Sequence, residues 1–215
     1  HTNVSLWKGG ELKSTPIGNN PLPGMDQVFT HISGGENMFM PDPKIDAVKP
    51  GPVGLNSIAG LLKHLPALTC LGSPTVNSYR RLWDTGFWAP VYADWGYQNR
   101  TCSVRVSAPG RVEYRSVDSS HNPYLMGAGI LKAFEDGLDN KMDPGEPEKK
   151  NIYDAMKAGK EVDKLPLTLG EAIQRLDSDE IIKSALPEDM LRVFMHYKND
   201  EWEKFLSAVT QWDVD

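Results

Sequence analysis

Hydrophobic residues recur with a helical period in some stretches of the chain and with a strand period in others. Between residues 55 and 71, leucine and isoleucine return every three or four positions, and Gly72 and Pro74 follow the last of them. This pattern predicts one long helix, in which Pro66 predicts a kink or a break. The same period predicts four further helices, over residues 124–138, 169–176, 181–186 and 187–209. Asn122 and Pro123 open the first of these four, and its mostly apolar surface predicts deep burial.

Alternation of apolar and polar residues predicts strands between the first two helices. Residues 89–95 and 102–106 alternate in this way. Residues 111–117 alternate as well, with Val112 and Tyr114 opposite a row of charged residues. The segment between residues 139 and 150 is rich in proline and charge and predicts a connection.

The first 54 residues show little hydrophobic periodicity. Residues 1–6 read as a strand that runs into a turn at Gly9 and Gly10. Residues 11–54 are rich in proline, glycine and asparagine, which predicts loops around one short element near residues 26–32. The order of loops, helix, strands and helices indicates an α+β fold.

The composition of the chain argues against several classes of protein. The chain has 215 residues and a net charge of −6, which argues against a broad nucleic-acid surface because phosphate binding needs excess Lys and Arg. No apolar run approaches the roughly 20 residues of a membrane helix, so no membrane partner is expected. Cys70 and Cys102 are too few for a disulfide framework. We expect a reducing, cytoplasmic location.

The first residues do not resemble a natural N-terminus. They contain no initiator Met, no secretory signal and no transit-peptide composition. We therefore expect the sequence to be the downstream portion of a longer protein. A processed N-terminus that begins with His1 is the alternative.

The predicted strand at residues 111–117 carries the most informative charge pattern. Alternation places Arg111, Glu113 and Arg115 on one face, while Arg100 and Arg105 flank the preceding strand. If the two strands pair, five ionisable groups converge on one surface. A carboxylate there can ligate a divalent cation, and guanidinium groups can bind phosphate or carboxylate. A solvated sheet face with ion pairs explains the pattern equally well from the residues alone.

Other candidates are weaker when taken one at a time. His1 and Ser5 could contact a ligand, although a single His is more often structural. Residues 77–81, which read Asn-Ser-Tyr-Arg-Arg, form either an anion-binding loop or, more often for such a stretch, a basic surface loop. The other histidines show no metal-ligand spacing, and the chain has no phosphate-binding glycine motif.

Six short stretches, taken in order, resemble the C-terminal half of the glutamine synthetase family. They are His-x-x-x-Ser-Leu-Trp at residues 1–7, Gly-Leu-Leu-Lys-His at 60–64, Pro-Thr-Val-Asn-Ser-Tyr-Arg-Arg at 74–81, Asn-Arg at 99–100, Arg-Val-Glu-Tyr-Arg at 111–115 and Asn-Pro-Tyr-Leu at 122–125. The ordered set is highly specific, although no single stretch would be.

The resemblance implies a catalytic domain in which a curved antiparallel sheet and its flanking helices form half of a barrel-like active site. It implies that residues 1–215 are the C-terminal part of that domain, with an N-terminal domain and the first half of the catalytic domain upstream. In the family, ATP phosphorylates the γ-carboxylate of glutamate and ammonia then displaces the phosphate. Mg²⁺ or Mn²⁺ and arginine side chains support this transfer. Homo-oligomeric rings of ten or twelve subunits are expected.

The resemblance also implies roles for individual residues. His1 and Glu113 correspond to ligands of one metal ion, and Ser5 corresponds to a residue at the ATP site. Arg81 and Arg115 correspond to residues that bind the substrate glutamate. Arg100 and Arg105 correspond to residues that contact the phosphates of ATP and stabilise the transfer. Arg111 corresponds to a residue near the nucleotide.

The flap that closes the family's active site is different here. It usually reads Gly-aromatic-Glu-Ala-Pro, whereas residues 86–90 read Gly-Phe-Trp-Ala-Pro. Trp88 cannot be the general base that the Glu provides, but it can form the wall of an apolar pocket. Members that act on methylamine resemble this stretch more than the ammonia enzymes do, and Asp84 is a candidate substitute base. Asn3 also replaces a second His of many members.

These observations predict an ATP-dependent ligase that joins glutamate to ammonia or to a small primary amine such as methylamine. The alternative is a family member that has lost catalysis and has a structural or regulatory role. The missing flap Glu is the main observation in favour of this alternative. Tyr153 resembles a Tyr that some bacterial members modify by adenylylation, and a partly buried structural Tyr is equally compatible with the sequence.

Overall fold

The structure is a computed structural model of the chain that describes residues 1–16, 27–42, 44, 48–82 and 89–214, without the side chains of 12–16, 27–33 and 212. Its strands are β1 (Thr2–Val4), β2 (Trp7–Lys8), β3 (Glu11–Pro16), β4 (Gln27–Ser33), β5 (Glu36–Asn37), β6 (Trp95–Tyr97), β7 (Val104–Ala108) and β8 (Arg111–Tyr114). Its helices are α1 (Pro52–Gly72), a 3₁₀ helix (Val76–Leu82), α2 (Pro123–Asp139), α3 (Ile152–Lys157), α4 (Leu169–Asp177), α5 (Glu180–Lys183), α6 (Glu188–Ser207) and α7 (Gln211–Val214).

The main sheet has four strands in the order β1-β8-β7-β6. β8 pairs antiparallel with both β1 and β7, but β6 and β7 run parallel. The prediction of an antiparallel sheet is therefore wrong for β6, and the sheet is mixed. The reason lies in the connection between these two strands, where Gln98 adopts a φ of 49° and turns the chain back, so that Val104 begins beside Trp95. Within the described residues the sheet is open, with no closed barrel.

The region predicted as loops contains more strand than its composition indicates. The short element predicted near residues 26–32 is confirmed as β4. The loop prediction is wrong for residues 11–16, since β3 pairs antiparallel with β4 from Glu11↔Ser33 to Pro16↔Gln27. β2 and β5 form a second, two-stranded pair. Backbone pairing stabilises these strands without the apolar alternation that would have predicted them.

Helix α1 lies at the centre of the core and packs against α2 and α4. Of the kink or break predicted at Pro66, the break is wrong, because the helix runs without interruption from Pro52 to Gly72. The kink stays a prediction. A proline at this position removes one backbone hydrogen bond. Burial of most of the helix against its neighbours offsets that loss.

The remaining predicted elements differ mainly at their ends. Residues 89–94 do not form a strand, and within them Tyr92 makes a single bridge to Lys164. Helix α2 is capped by Asn122 as the sequence predicts, but Tyr124 and Leu131 are exposed, so its burial is less complete than predicted. Helix α6 follows Pro187 and has no fully buried residue.

The two cysteines and the length of the helices bear on the predicted absence of a disulfide framework and of a membrane helix. Cys70 and Cys102 are free thiols, both buried, in agreement with the prediction of no disulfide framework. Burial raises the pKa of each thiol to about 12, so neither is a reactive thiolate at neutral pH. In the part of the chain that the structure describes, no helix is long and apolar enough to cross a membrane.

Candidate active site

Pairing of β1 with β8 brings the beginning of the chain to the charged strand. Asn3 lies opposite Glu113 in the register of the two strands. His1 lies just before β1, and its Nδ1 atom is 2.9 Å from Oε1 of Glu113. Glu113 is 7% exposed and His1 is 46% exposed, so the imidazole forms the outer side of this contact.

Two arginines contact the same carboxylate from the sheet side. Arg105 is the direct cross-strand partner of Glu113, and its Nη1 donates to Oε2 at 2.7 Å. Arg115 follows two residues after Glu113 and places Nη1 3.5 Å from Oε1. Burial lowers the pKa of Arg115, and the negative charge of Glu113 opposes that effect. Glu113 is thus in contact with one imidazole and two guanidinium groups. We call His1, Arg105, Glu113 and Arg115 together the Glu113 cluster.

A glutamine that the sequence analysis missed supports the cluster. Gln98 accepts a hydrogen bond from Nη2 of Arg105 at 2.6 Å and donates to the carbonyl of Ser107 at 2.5 Å. Its backbone lies in the left-handed region, at the turn that makes β6 and β7 parallel. No periodic or motif signal in the sequence marks this residue, because its role depends on that turn.

The other two arginines of the predicted charged face are placed differently. Arg100 contributes its backbone carbonyl, which accepts from Nη2 of Arg115 at 2.9 Å, while its side chain is exposed. Arg111 lies at the far end of β8, where it donates to Ser107. This contact lies where β7 and β8 change register between Val106 and Ala108. The convergence of Arg111 with the other four groups stays a prediction.

Ser5 and Arg81 lie at two different edges of this region. Ser5, between β1 and β2, accepts a hydrogen bond from the indole of Trp7 at 2.9 Å. Arg81, in the 3₁₀ helix, donates to the carbonyl of Val117 at 3.1 Å. That contact places Arg81 against the continuation of β8, beyond Arg115. Burial lowers the pKa of Arg81, and the carboxylate of Asp118 opposes this effect.

The segment that precedes Arg81 is held by contacts within the protein. The side chains of Thr75 and Ser78 hydrogen-bond to each other, and Asn77 accepts from Arg80. The backbone N–H of Val76 donates to the carboxylate of Glu201. Because a carboxylate already occupies that donor, the geometry favours a structural loop over an anion-binding one.

His1 and Glu113 suit a divalent cation in donor chemistry, since one offers an imidazole nitrogen and the other a carboxylate oxygen. These two donor atoms lie 2.9 Å apart. Among the described residues no group of three or more His, Cys, Asp or Glu could hold a metal. The described residues therefore bring together two donors that suit such a site rather than a complete set.

The flap and Tyr153 are the remaining regions for which the sequence predicts a role. Trp88 and Asp84 lie outside the described residues, so their predicted roles stay predictions. Tyr153 is half-buried, and its hydroxyl donates to the carbonyl of Ala89 at 2.8 Å. Burial raises its pKa. The hydroxyl has a structural contact, and its modification stays a prediction.

Comparison with known proteins gives the same family over most of the chain. The model of the glutamine synthetase catalytic domain matches residues 16–215. The glutamine synthetase of Pyrococcus furiosus is 36% identical over 219 aligned residues, which cover 93% of this chain and 48% of the relative. The glutamate–methylamine ligase of Methyloversatilis universalis is 36% identical over 208 residues, covering 93% of this chain and 47% of the relative.

Solved structures agree with these sequence relatives. A ligand-free structure of GmaS superposes with a TM-score of 0.75 at 33% identity, covering 86% of this chain and 45% of the other. A complex of GmaS with ADP superposes with a TM-score of 0.76 at 32% identity, covering 90% and 47%. The chain thus spans about half the length of the curated relatives that it matches.

Proposed function

This chain belongs to the glutamine synthetase family, and from that premise we propose that the complete protein is an ATP-dependent carbon–nitrogen ligase. The reaction joins the γ-carboxylate of glutamate to ammonia or a small primary amine. The γ-phosphoryl group of ATP passes to the carboxylate, which gives γ-glutamyl phosphate and ADP. The amine then displaces inorganic phosphate and loses a proton.

The observation that carries this proposal is the Glu113 cluster. A nearly buried carboxylate in contact with two guanidinium groups and an imidazole is costly to desolvate, and folding alone does not need it. Phosphoryl transfer between two anions does need such a cluster, since charge develops on oxygens that Arg side chains can stabilise. Arg105 and Arg115 also hold the Glu113 carboxylate in a fixed orientation toward His1.

We propose His1 and Glu113 as ligands of Mg²⁺ or Mn²⁺. A bound divalent ion would neutralise charge on the phosphoryl oxygens during transfer. The imidazole of His1 then has to be neutral, because a protonated ring cannot ligate a metal. Glu113 accepts a hydrogen bond from Nη1 of Arg105, which orients its carboxylate.

The proposed substrate contacts are divided along the chain. Arg81 and Arg115 bind the carboxylates of glutamate. This assignment is supported by the position of Arg81 against the segment that follows Arg115. Ser5 and Arg100 lie at the nucleotide, with Arg100 and Arg105 on its phosphates. Arg111 is proposed only at the rim of the nucleotide site, since it contacts Ser107 rather than the Glu113 cluster.

The acceptor amine is proposed from the flap sequence. Trp88 forms an apolar wall that favours methylamine over ammonia, because a methyl group gains from burial against an aromatic ring. The similarity to a glutamate–methylamine ligase supports this choice. Glutamine synthetases match at comparable identity, so the acceptor has to be measured.

A non-catalytic role is the second candidate function. The observation that favours it is the replacement of the flap Glu by Trp88, which removes a general base. The charged residues of the Glu113 cluster argue against it, because a structural protein gains nothing from keeping them together.

We also propose that the complete protein assembles into a ring of ten or twelve subunits. Exposed apolar side chains on the outer face of α6, at Met190, Val193 and Tyr197, support an interface between subunits. Light scattering on the complete protein tests this assembly directly, and a monomer at micromolar concentration would exclude it.

The ligase proposal is tested by phosphate release from ATP, using the complete protein. Glutamate and Mg²⁺ or Mn²⁺ are supplied with ammonia, methylamine, ethanolamine or a polyamine in separate reactions. We expect release that requires metal, glutamate and one amine together, and mass spectrometry should detect the matching γ-glutamyl amide. No release with any of these amines would leave the structural role as the better explanation.

A further inference from the structure

The guanidinium group of Arg105 makes its hydrogen bonds through its two terminal nitrogen atoms. Nη1 donates to Oε2 of Glu113 at 2.7 Å, and Nη2 donates to Oε1 of Gln98 at 2.6 Å. The Nε atom is buried and has no hydrogen-bond partner within the described residues. The orientation of this guanidinium group therefore depends on one carboxylate and one amide.

Gln98 is itself fixed to β7, the strand that carries Arg105. Its backbone N–H donates to the carbonyl of Val106 at 3.1 Å, and its side-chain amide donates to the carbonyl of Ser107 at 2.5 Å. Although Gln98 is exposed, both ends of its amide are thus hydrogen-bonded. An amide that is held through its NH₂ group presents its oxygen in one direction. The acceptor for Arg105 is therefore already oriented.

The backbone conformation of Gln98 is unfavourable for its residue type. Its φ of 49° lies in the left-handed region, which glycine adopts without a steric cost. Lys141, the other described residue of this kind, directly follows the C-cap of α2, where left-handed residues commonly end a helix. Gln98 follows a strand instead. Such a residue persists where its surroundings compensate the strain, and here its hydrogen bonds to Arg105 and Ser107 do so.

A neutral acceptor suits an arginine that has to keep its positive charge. Glu113 already pairs with Arg105, and a second carboxylate at position 98 would cancel more of that charge. An amide oxygen fixes the guanidinium group without removing charge from it. The positive charge then stays available to phosphoryl oxygens on which negative charge develops.

We propose that Gln98 is a positioning residue for phosphoryl transfer, and this proposal rests on the proposed ligase function. Gln98 acts through Arg105, because its Oε1 atom fixes the Nη2 end of the guanidinium group while Glu113 fixes the Nη1 end. Without Gln98 the guanidinium group keeps one of these two contacts and can rotate away from the transferred phosphoryl group. The loss then falls on the rate of the transfer more than on the binding of ATP.

The test uses the complete protein and the variant Gln98→Met, which keeps the length of the side chain but removes the amide. The matched control is Gln174→Met, at an exposed position of α4. A second variant, Gln98→Gly, removes the side chain and relieves the left-handed backbone, so it should unfold at a temperature close to or above that of the wild type. Thermal unfolding of all four proteins checks the fold.

Phosphate release is then measured at saturating glutamate and amine over a range of ATP concentration. We expect both Gln98 variants to lower kcat by about tenfold or more and to change the KM for ATP by less than about twofold. The control should keep both constants within about twofold of the wild type. A kcat of the Gln98 variants within about twofold of an active wild type overturns the proposal.

A double-mutant cycle separates positioning of Arg105 from a general effect on the fold. Arg105→Lys removes the Nη2 atom that Gln98 holds, so Gln98→Met added to it should lower kcat by less than about a further twofold. A loss of the same size with Arg105 and with Lys at position 105 would mean that Gln98 does not act through this residue, and it overturns the proposal.

Crystal structures of the complete wild type and of Gln98→Met add a measurement that does not depend on activity. We expect one orientation of the Arg105 guanidinium group in the wild type, and a displaced or divided one in the variant. An unmoved guanidinium group overturns the proposal. If the wild type is active and Gln98→Met is unimpaired, the positioning role fails and the ligase function stands. If the wild type releases no phosphate with any amine, the ligase function fails, and the catalytic role of Gln98 fails with it.

Discussion

His1 and Glu113, far apart in the chain, lie 2.9 Å apart through Nδ1 and Oε1 because β1 pairs with β8. The contact joins an exposed imidazole to a carboxylate that two arginines hold from the other side. Glu113 therefore combines two functions, since it orients the arginines and presents an oxygen atom toward His1.

Replacing Glu113 by Gln in the complete protein tests that combination. We expect phosphate release to fall at least about 100-fold, because a neutral amide is a weaker ligand for a divalent cation than a carboxylate and cannot neutralise Arg105 and Arg115. Stability should fall by about 1–3 kcal/mol, since two guanidinium groups lose their anionic partner. Assays over a range of Mn²⁺ concentration and thermal unfolding give the two measurements.

The control for this variant is Glu135→Gln, on the exposed side of α2, where the carboxylate pairs with Lys132 at the surface. Its activity should match the wild type, and its stability should change by less than about 1 kcal/mol. Normal activity and normal metal affinity of the Glu113 variant would remove that residue from the metal site.

His64 joins three helical segments by two short hydrogen bonds. Its ring is 3% exposed, with Nδ1 2.6 Å from Asp179 and Nε2 2.8 Å from Asp136. Lys63 also donates to Asp136, at 2.8 Å. Both ring nitrogens face carboxylates, so the arrangement is most stable when the imidazole carries both protons.

This arrangement predicts how stability depends on pH. Burial lowers the pKa of His64, but the hydrogen bonds to Asp179 and Asp136 outweigh it and raise the pKa above 6.5. The stabilisation is therefore complete below about pH 6.5 and is lost as the pH rises through the raised value. The pKa values of both aspartates are lowered, because their hydrogen bonds outweigh burial, so their contribution is lost in acid, below about pH 4.

The variant His64→Gln isolates that contribution. We expect it to unfold about 2–4 kcal/mol more easily than the wild type at pH 6, because two carboxylates lose a cationic partner. The difference should shrink as the pH rises above 7. Urea unfolding from pH 5 to pH 9 measures it, and a constant difference across that range would show that folding does not shift the pKa of His64.

The crossing of α1 and α2 depends on glycine at the point of contact. A Cβ atom on Gly137 would lie 2.2 Å from the carbonyl oxygen of Asn56, and one on Gly60 would lie 2.0 Å from that of Ala133. Gly137→Ala should therefore destabilise the protein by about 1–3 kcal/mol or more. Gly127→Ala, in the same helix with nothing within 4 Å of the new methyl group, should be neutral or stabilising by up to about 1 kcal/mol.

Thermal unfolding of these two variants gives a direct comparison within one helix. Equal stability of Gly137→Ala and Gly127→Ala would mean that α1 and α2 can separate at their crossing without cost.

Trp88 is the residue on which the proposed choice of amine depends. In the complete protein, Trp88→Glu should lower the ratio of kcat/KM for methylamine to that for ammonia by about tenfold or more, because an apolar wall is replaced by a charged one. Trp88→Phe keeps an aromatic wall and should retain most of the ratio. A wild type that prefers ammonia, or a Glu variant that keeps the methylamine preference, would contradict the proposal.

Local patterns in the sequence predicted the elements well wherever the period was long and unbroken. The leucine spacing of α1, the Asn122 cap of α2 and the alternation around Glu113 all correspond to the structure. The predictions were less accurate where pairing rather than periodicity makes the element, as in β3, whose residues have no apolar alternation.

The candidate site shows the same division. Alternation along β8 is enough to predict that Glu113 and Arg115 share one face, because successive side chains of a strand point to opposite faces. The pairing of β1 with β8, the parallel run of β6 and β7 and the contact of Arg111 with Ser107 become known from the fold alone. A period depends on neighbouring residues of the chain, whereas strand pairing depends on burial and on hydrogen bonds between residues far apart in sequence.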